Sequence, residues 1–96
     1  MKESKLTREK ILTIIRKQPK AWAFKCAAGP FQERGLPDII GCIDGRFFAI
    51  EGKVGKNTMS PMQEIVQSKI IAANGKYEVM RESITESELI DWLRKV

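Results

Sequence analysis

The chain has 96 residues, 43% of them hydrophobic and 30% charged, with 17 Lys and Arg against 12 Asp and Glu. That length holds one domain, residues 1–96, with one modest core, and the composition is too apolar for a disordered chain. With a formal net charge of +5, no histidine and two cysteines, a Ser-His-Asp triad, a Cys-His pair and His-ligated zinc are excluded. Any acid, base or metal chemistry therefore uses carboxylates, lysines, amides and water.

Residues 4–17 place Leu6, Ile11, Leu12, Ile14 and Ile15 among charged positions, a helical face that Pro19 stops. Ala21-Trp22-Ala23-Phe24-Lys25-Cys26 alternates large and small residues and reads as a short strand. Ala27 to Pro37, with Gly29-Pro30 and Gly35-Leu36-Pro37, is a loop, long for so small a domain and for that reason a functional candidate. Asp38 to Ile43 and Arg46 to Lys53 are two apolar runs joined by Asp44-Gly45, the strongest short hairpin signal. Val54 to Met59 is a loop. Ser60 as N-cap and Pro61 at the first helical position open a helix with Ile65, Val66, Lys69, Ile70 and Ala73 on one face, and Gly75 is expected to end it. Tyr77 to Arg81 is a strand, and Thr85-Glu86-Ser87-Glu88 is a capping box that starts a last helix through Leu89, Ile90 and Leu93. The predicted order is α-β-β-β-α-β-α.

A two-residue turn at Asp44-Gly45 sets Ile43 opposite Arg46 and, counting outward, Asp38 opposite Glu51. Opposed residues share a sheet face with Cβ atoms roughly 4.5–5.5 Å apart, and Lys53, two residues beyond Glu51, points the same way. Both hairpin faces are largely apolar, which predicts central strands covered on both sides. Two opposed carboxylates there repel unless a divalent cation lies between them, and Mg²⁺ and Mn²⁺ take oxygen ligands. A water beside Lys53 would then be a candidate nucleophile toward a phosphodiester, with the cation and the ammonium countering the added charge. Taken singly, Glu51 and Lys53 also fit an edge salt bridge, and Asp38 fits a turn residue after Pro37.

The charge is uneven. Residues 1–56 carry 12 basic and 6 acidic side chains, and residues 57–96 carry 5 and 6. The excess positive charge of the first part points to a polyanion, nucleic acid first, with a solvated basic face as the alternative. Lys2, Lys5, Arg8, Lys17, Arg34 and Lys56 are candidate backbone contacts on DNA. Lys25 either snorkels from a strand end or touches a phosphate. Gln63 completes a capping box with Ser60 or serves the site. The cysteines, in no CxxC pattern, are expected as buried thiols, and Trp22 and Trp92 as core residues. No apolar run suits a membrane helix or a signal peptide, so a cytoplasmic location is expected, with no small-molecule cofactor.

Pro37-Asp38 followed by Glu51-Gly52-Lys53 is the PD-(D/E)xK pattern of restriction-like nucleases. Gly35-Leu36-Pro37-Asp38-Ile39-Ile40-Gly41, Gly45-Arg46-Phe47, Ala49-Ile50-Glu51 and Ser60-Pro61 with Gln63 closely resemble the VRR-NUC family, in particular its compact stand-alone members from phages and bacteria. Phe24-Lys25 and Gly29-Pro30-Phe31-Gln32 are similar too, and the likeness spans roughly residues 3–82. The resemblance implies a restriction-endonuclease-like α/β domain with a mixed central sheet flanked by helices. It implies a Mg²⁺- or Mn²⁺-dependent DNA endonuclease, homodimeric and selective for branched DNA such as a Holliday junction. Asp38, Glu51 and the Gly52 carbonyl would be metal ligands, Lys53 would act on the attacking water, and Gln63 would be a site residue. A first-helix glutamate would be Glu3, or else Glu9. Two departures stand out: Gly52 replaces a usual apolar β-branched residue and is expected to loosen the strand, and Ala27-Ala28 stands in place of a His-Gly-like pair. The rival readings are a non-catalytic DNA-binding protein that keeps the fold, and a flap or nicking nuclease.

Overall fold

In the computed structural model, residues 1–27 and 29–96 are described, so the Ala27-Ala28 position falls partly outside them. The N-terminal helical stretch opens as a π-helical segment, Lys5–Ile11, and continues as α1, Leu12–Arg16. Strands β1, Ala21–Lys25, β2, Ile39–Ile43, and β3, Arg46–Lys53, follow, then helix α2, Pro61–Ala72, strand β4, Lys76–Arg81, and helix α3, Glu86–Arg94. The sheet order is β1-β2-β3-β4, antiparallel except for the parallel β3–β4 pair that α2 bridges.

The predicted regular first helix is corrected in its opening turns. Its buried positions, Leu6 and Thr7 and then Ile11 and Leu12, recur at a spacing of five. An α-helix carries i and i+5 to different faces, while the wider π turn stacks them, so burying both pairs selects the rarer helix.

Asp44 and Gly45 both have positive φ, 53° and 79°, the geometry of a type I′ hairpin turn. The β2–β3 register is the one counted from the sequence, from Ile43↔Arg46 to Ile39↔Ile50. One sheet face, with Ala23, Ile39, Ile43, Phe48, Ile50 and Met80, packs on Leu6, Ile11, Leu12 and Ile15 of the first helix and on Leu89 and Leu93 of α3. This is the core. Trp92 joins it, edge-on to Phe48 at 6.1 Å between ring centroids.

The expectation of two covered faces is corrected. On the other face only the β3–β4 side lies under α2, and Trp22, Cys42 and Phe47 stay exposed. Trp22 therefore meets Phe24 at the surface, the two rings tilted by 49° with centroids 5.3 Å apart, and not in the core. Cys42 is exposed and Cys26 half-buried, so neither is the buried thiol expected. α2 also ends differently: Asn74, at φ 65°, supplies the left-handed residue. Gly75 follows it because a Cβ there would meet the Ile70 side chain.

Candidate active site

The hairpin delivers its carboxylates at the end of the half-open face. β2 starts at Ile39, so Asp38 sits just beyond the last ladder pair, Ile39↔Ile50, where its Oδ2 accepts the Gly52 N–H at 2.8 Å. The side chain thus takes the place of a missing strand partner. A residue's N–H and C=O leave a strand on the same side, so the Gly52 carbonyl also points toward Asp38. Gly52 does not loosen β3, which stays paired with β4 through Lys53↔Arg81.

Glu51 is 1% exposed and Lys53 7%, with Lys53 Nζ 3.9 Å from Glu51 Oε1. Gln63 serves in both of its predicted ways. Its Oε1 accepts the Ser60 N–H at 2.9 Å, completing the cap of α2, while its Nε2 donates to Glu51 Oε1 at 3.2 Å. The cap fixes the first turn of α2 over the strand end, which sets where the amide meets Glu51. Lys25 Nζ reaches Asp38 Oδ1 at 3.4 Å, so it is an ion-pair partner of the site.

Burial pushes Glu51 up to about 8, and the neighbouring Asp38 carboxylate pushes the same way, with Lys53 opposing and Glu3 adding a smaller push. Glu51 Oε2 and the Tyr77 hydroxyl are, among the described residues, the buried polar side-chain atoms left without a partner. Ala49 pairs with Tyr77 and Glu51 with Val79, which places Tyr77 and Glu51 on one face. Leaving a buried carboxylate oxygen unpaired is costly, and a divalent cation between Asp38 and Glu51 would satisfy it. No group of three or more Cys, Asp or Glu side chains converges among the described residues. The protein donors would be two carboxylates and the Gly52 carbonyl, with water completing the shell. That hard-oxygen, doubly negative set fits Mg²⁺ or Mn²⁺.

Glu3 of the two glutamate candidates stands near the site: its Oε2 accepts from Asn57 Nδ2 at 2.7 Å, and its charge is felt at Glu51. Glu9 instead lines a surface groove with Lys5, Lys10 and Glu86, on the side of the sheet that carries the first helix and α3. Lys5 therefore lies apart from the site. Arg34 and Lys25 line a cleft of ≈ 450 Å³ between the long loop and the start of α2, with Asp38 and Gln63 in its wall. Lys56 is exposed in the loop after β3, and Arg8 is exposed on the π-helical segment.

Three residues escaped the sequence reading. Tyr77 reads from the sequence only as part of a strand, and its face follows from the parallel β3–β4 register, for which no turn supplies a count. Arg81 donates to the Gly55 and Asn57 carbonyls at 3.2 and 3.0 Å, holding the loop that carries Lys56 and Asn57. Thr7 packs under Gly52, and no local signal announces that contact.

No family model matches the chain, and no curated protein matches it in sequence. Among solved structures it is similar to Hjc, a Holliday junction resolvase from the hyperthermophilic archaeon Archaeoglobus fulgidus. The TM-score is 0.57 at 16% identity, over 85% of this chain and 71% of that one. The chain has a resolvase-like, restriction-endonuclease-like fold. Among the described residues, no helix is long and apolar enough to cross a membrane.

Proposed function

We propose that the chain is a divalent-metal-dependent DNA endonuclease of the VRR-NUC type, acting as a homodimer on branched DNA. The observation that carries this is the meeting of Asp38, Glu51, Lys53 and Gln63 at one strand end, around a buried unpartnered carboxylate oxygen and beside an open cleft. The resolvase-like fold supports the substrate class, and the basic first half of the chain supports a polyanionic partner.

Asp38, Glu51 and the Gly52 carbonyl would hold Mg²⁺ or Mn²⁺, which supplies charge neutralisation and activation of water and phosphate when bound. The chain's own residues do the rest. Lys53 presents an ammonium from a nearly dry position, where it orients water and offsets the negative charge that grows on the phosphoryl oxygens as water adds and the ester P–O bond breaks. Gln63 fixes the Glu51 carboxylate by one oxygen and leaves the other free. Lys25 holds Asp38 and can extend to a flanking phosphate. Arg34 and Lys56 contact the DNA backbone, and Glu3 steadies the loop through Asn57. A twofold dimer would make the paired cuts that a four-way junction requires.

The rival, a non-catalytic DNA-binding relic, drew its support from the expected looseness at Gly52, and β3 is continuous there. The test compares a labelled four-way junction with flap, nicked and linear duplexes, with Mg²⁺, Mn²⁺ or EDTA. Paired nicks on the junction, lost with EDTA, Glu51→Ala or Lys53→Ala, are expected. Faster cutting of flap or nicked DNA keeps the nuclease and replaces the substrate. Binding without cleavage in any metal refutes the reading.

A further inference from the structure

α2 is twelve residues long, yet none of them is buried. It covers one half of its sheet face and leaves the other half bare. That bare floor is Trp22, Phe24, Ile40, Cys42 and Phe47, none of them charged. Trp22 is 62%, Phe24 40% and Phe47 45% exposed. Between the floor and the flank of α2 runs a groove of ≈ 360 Å³, lined by Phe47, Val66, Lys69 and Ile70. The outward ridge of α2 is Pro61, Ile65, Ser68 and Ala72, spaced so that they lie along one side of a helix. All four are exposed and uncharged. One surface is a sheet half that lacks a helix, and the other is a helix with a free uncharged ridge.

We propose that these surfaces belong to each other across a twofold axis. In a pair of copies, the α2 ridge of each lies on the bare floor of the other, and the two α2 helices run side by side in one shared layer between the two sheets. The dimensions agree. A twelve-residue helix is about 18 Å long, and a five-residue strand of the floor about 17 Å. The area also suffices. Taking roughly 150–250 Å² for an aromatic side chain, the exposed parts of the three rings amount to about 300 Å². Cys42 and the exposed ridge residues Pro61, Ile65, Ser68 and Ala72 bring one copy to about 500 Å², so a pair reaches the order of 1,000 Å² at which specific interfaces begin. A duplex is a poor occupant, because the five floor residues carry no charge for its phosphates and the groove beside them adds only Lys69 among its described lining residues. The catalytic end of β3 lies on this same face, beyond Ala49, so the twofold axis would also fix the separation of the two sites.

This inference gives the dimer of the proposed function its surface, and its test uses no nuclease readout. The mass of the chain is measured by sedimentation, with the rate at which a maleimide labels Cys42, for the wild type, Trp22→Glu and Ile65→Lys. Both substitutions fall at exposed positions outside the site, and circular dichroism checks that each variant folds. The expected result is a wild-type dimer with a protected Cys42. Either substitution should halve the mass and raise the labelling rate about tenfold, the effect of a 1.4 kcal/mol shift. A wild-type monomer whose Cys42 labels freely overturns the inference, and if that monomer cleaves DNA the nuclease reading survives. A dimer indifferent to both substitutions overturns it as well. A dimer that both substitutions split but that never cleaves DNA supports the surface and refutes the nuclease.

Discussion

The middle position of the motif is glycine because Thr7 occupies the space its side chain would need. A Cβ built on Gly52 lies 2.5 Å from Thr7 Cγ2, whereas its other near neighbours, Asp38 Oδ2 and Leu6 Cδ2, are at an ordinary 3.5 Å. Carbon atoms in contact sit ~3.5–4.0 Å apart, so Gly52→Ala must push the π-helical segment away from the sheet by about an ångström. Overpacking of this kind costs ~1–3 kcal/mol, against a gain of roughly 0.5–1 kcal/mol for Ala over Gly in a strand interior. Thr7→Ser removes the offending methyl and keeps the hydroxyl that donates to the Glu3 carbonyl. On its own it should cost about 0.8 kcal/mol for the lost buried carbon. In the Thr7→Ser background Gly52→Ala should be neutral or stabilising. The double-mutant cycle, read by urea unfolding followed by Trp92 fluorescence, should give a coupling of ~1–3 kcal/mol in favour of the double variant. Additive effects would refute the account and leave Gly52 a matter of backbone flexibility.

Glu51 gives a pH dependence with a definite sign. Its folded-state value, about 8, lies above the ordinary carboxyl value of 4.5, so the stability it contributes is complete below about pH 4.5 and is lost as pH rises through about 8. Thermal unfolding in EDTA should fall across that window, Glu51→Gln should flatten the fall, and added Mn²⁺ should raise Tm more at its alkaline end. Gln63→Glu keeps the cap acceptor but turns the donor facing Glu51 into a second acceptor; it should cost ~1–3 kcal/mol in EDTA, much of it recovered with Mn²⁺, and a loss equal with and without metal would refute the contact. Lys53→Met should abolish cleavage while Mn²⁺ still raises Tm, whereas Asp38→Ala should abolish both. Arg34→Ala and Lys56→Ala should each reduce the salt slope of DNA binding by about 1, and Lys5→Ala should leave it unchanged.

The hairpin was legible because a two-residue I′ turn fixes register, and register carries Asp38, Glu51 and Lys53 to one end by counting alone. The capping boxes were legible because their partners lie three residues apart. What sequence could not give was which sheet face is covered. Alternation sorts side chains into two sets without saying where the helices go, so pattern alone suggests burial for Trp22 and Cys42, while the core lies on the opposite face. The π segment was legible in principle, since Leu6 to Ile11 and Thr7 to Leu12 are steps of five, but a Thr does not announce burial. The split role of Gln63 was hidden because one amide has two ends, and capping uses only the oxygen.

The site and the open face share a cause. β2 is shorter than β3, so the strand end that extends past it must find side-chain partners: Asp38 takes the Gly52 N–H, and Arg81 gathers the carbonyls of the following loop. α2 then crosses only the β3–β4 half, and its capped first turn brings Gln63 down onto Glu51. The same placement that completes the carboxylate site leaves β1 and β2 without a covering helix. Extending α2 coverage within one copy would need a second helix on that face, and the chain spends its last helix on the core side instead. In the proposed pairing, a partner's α2 supplies the cover that this half of the sheet lacks. Its absence in a dilute monomer should expose Trp22, Phe24 and Phe47 together, so that dilution strips cover from all three rings at once.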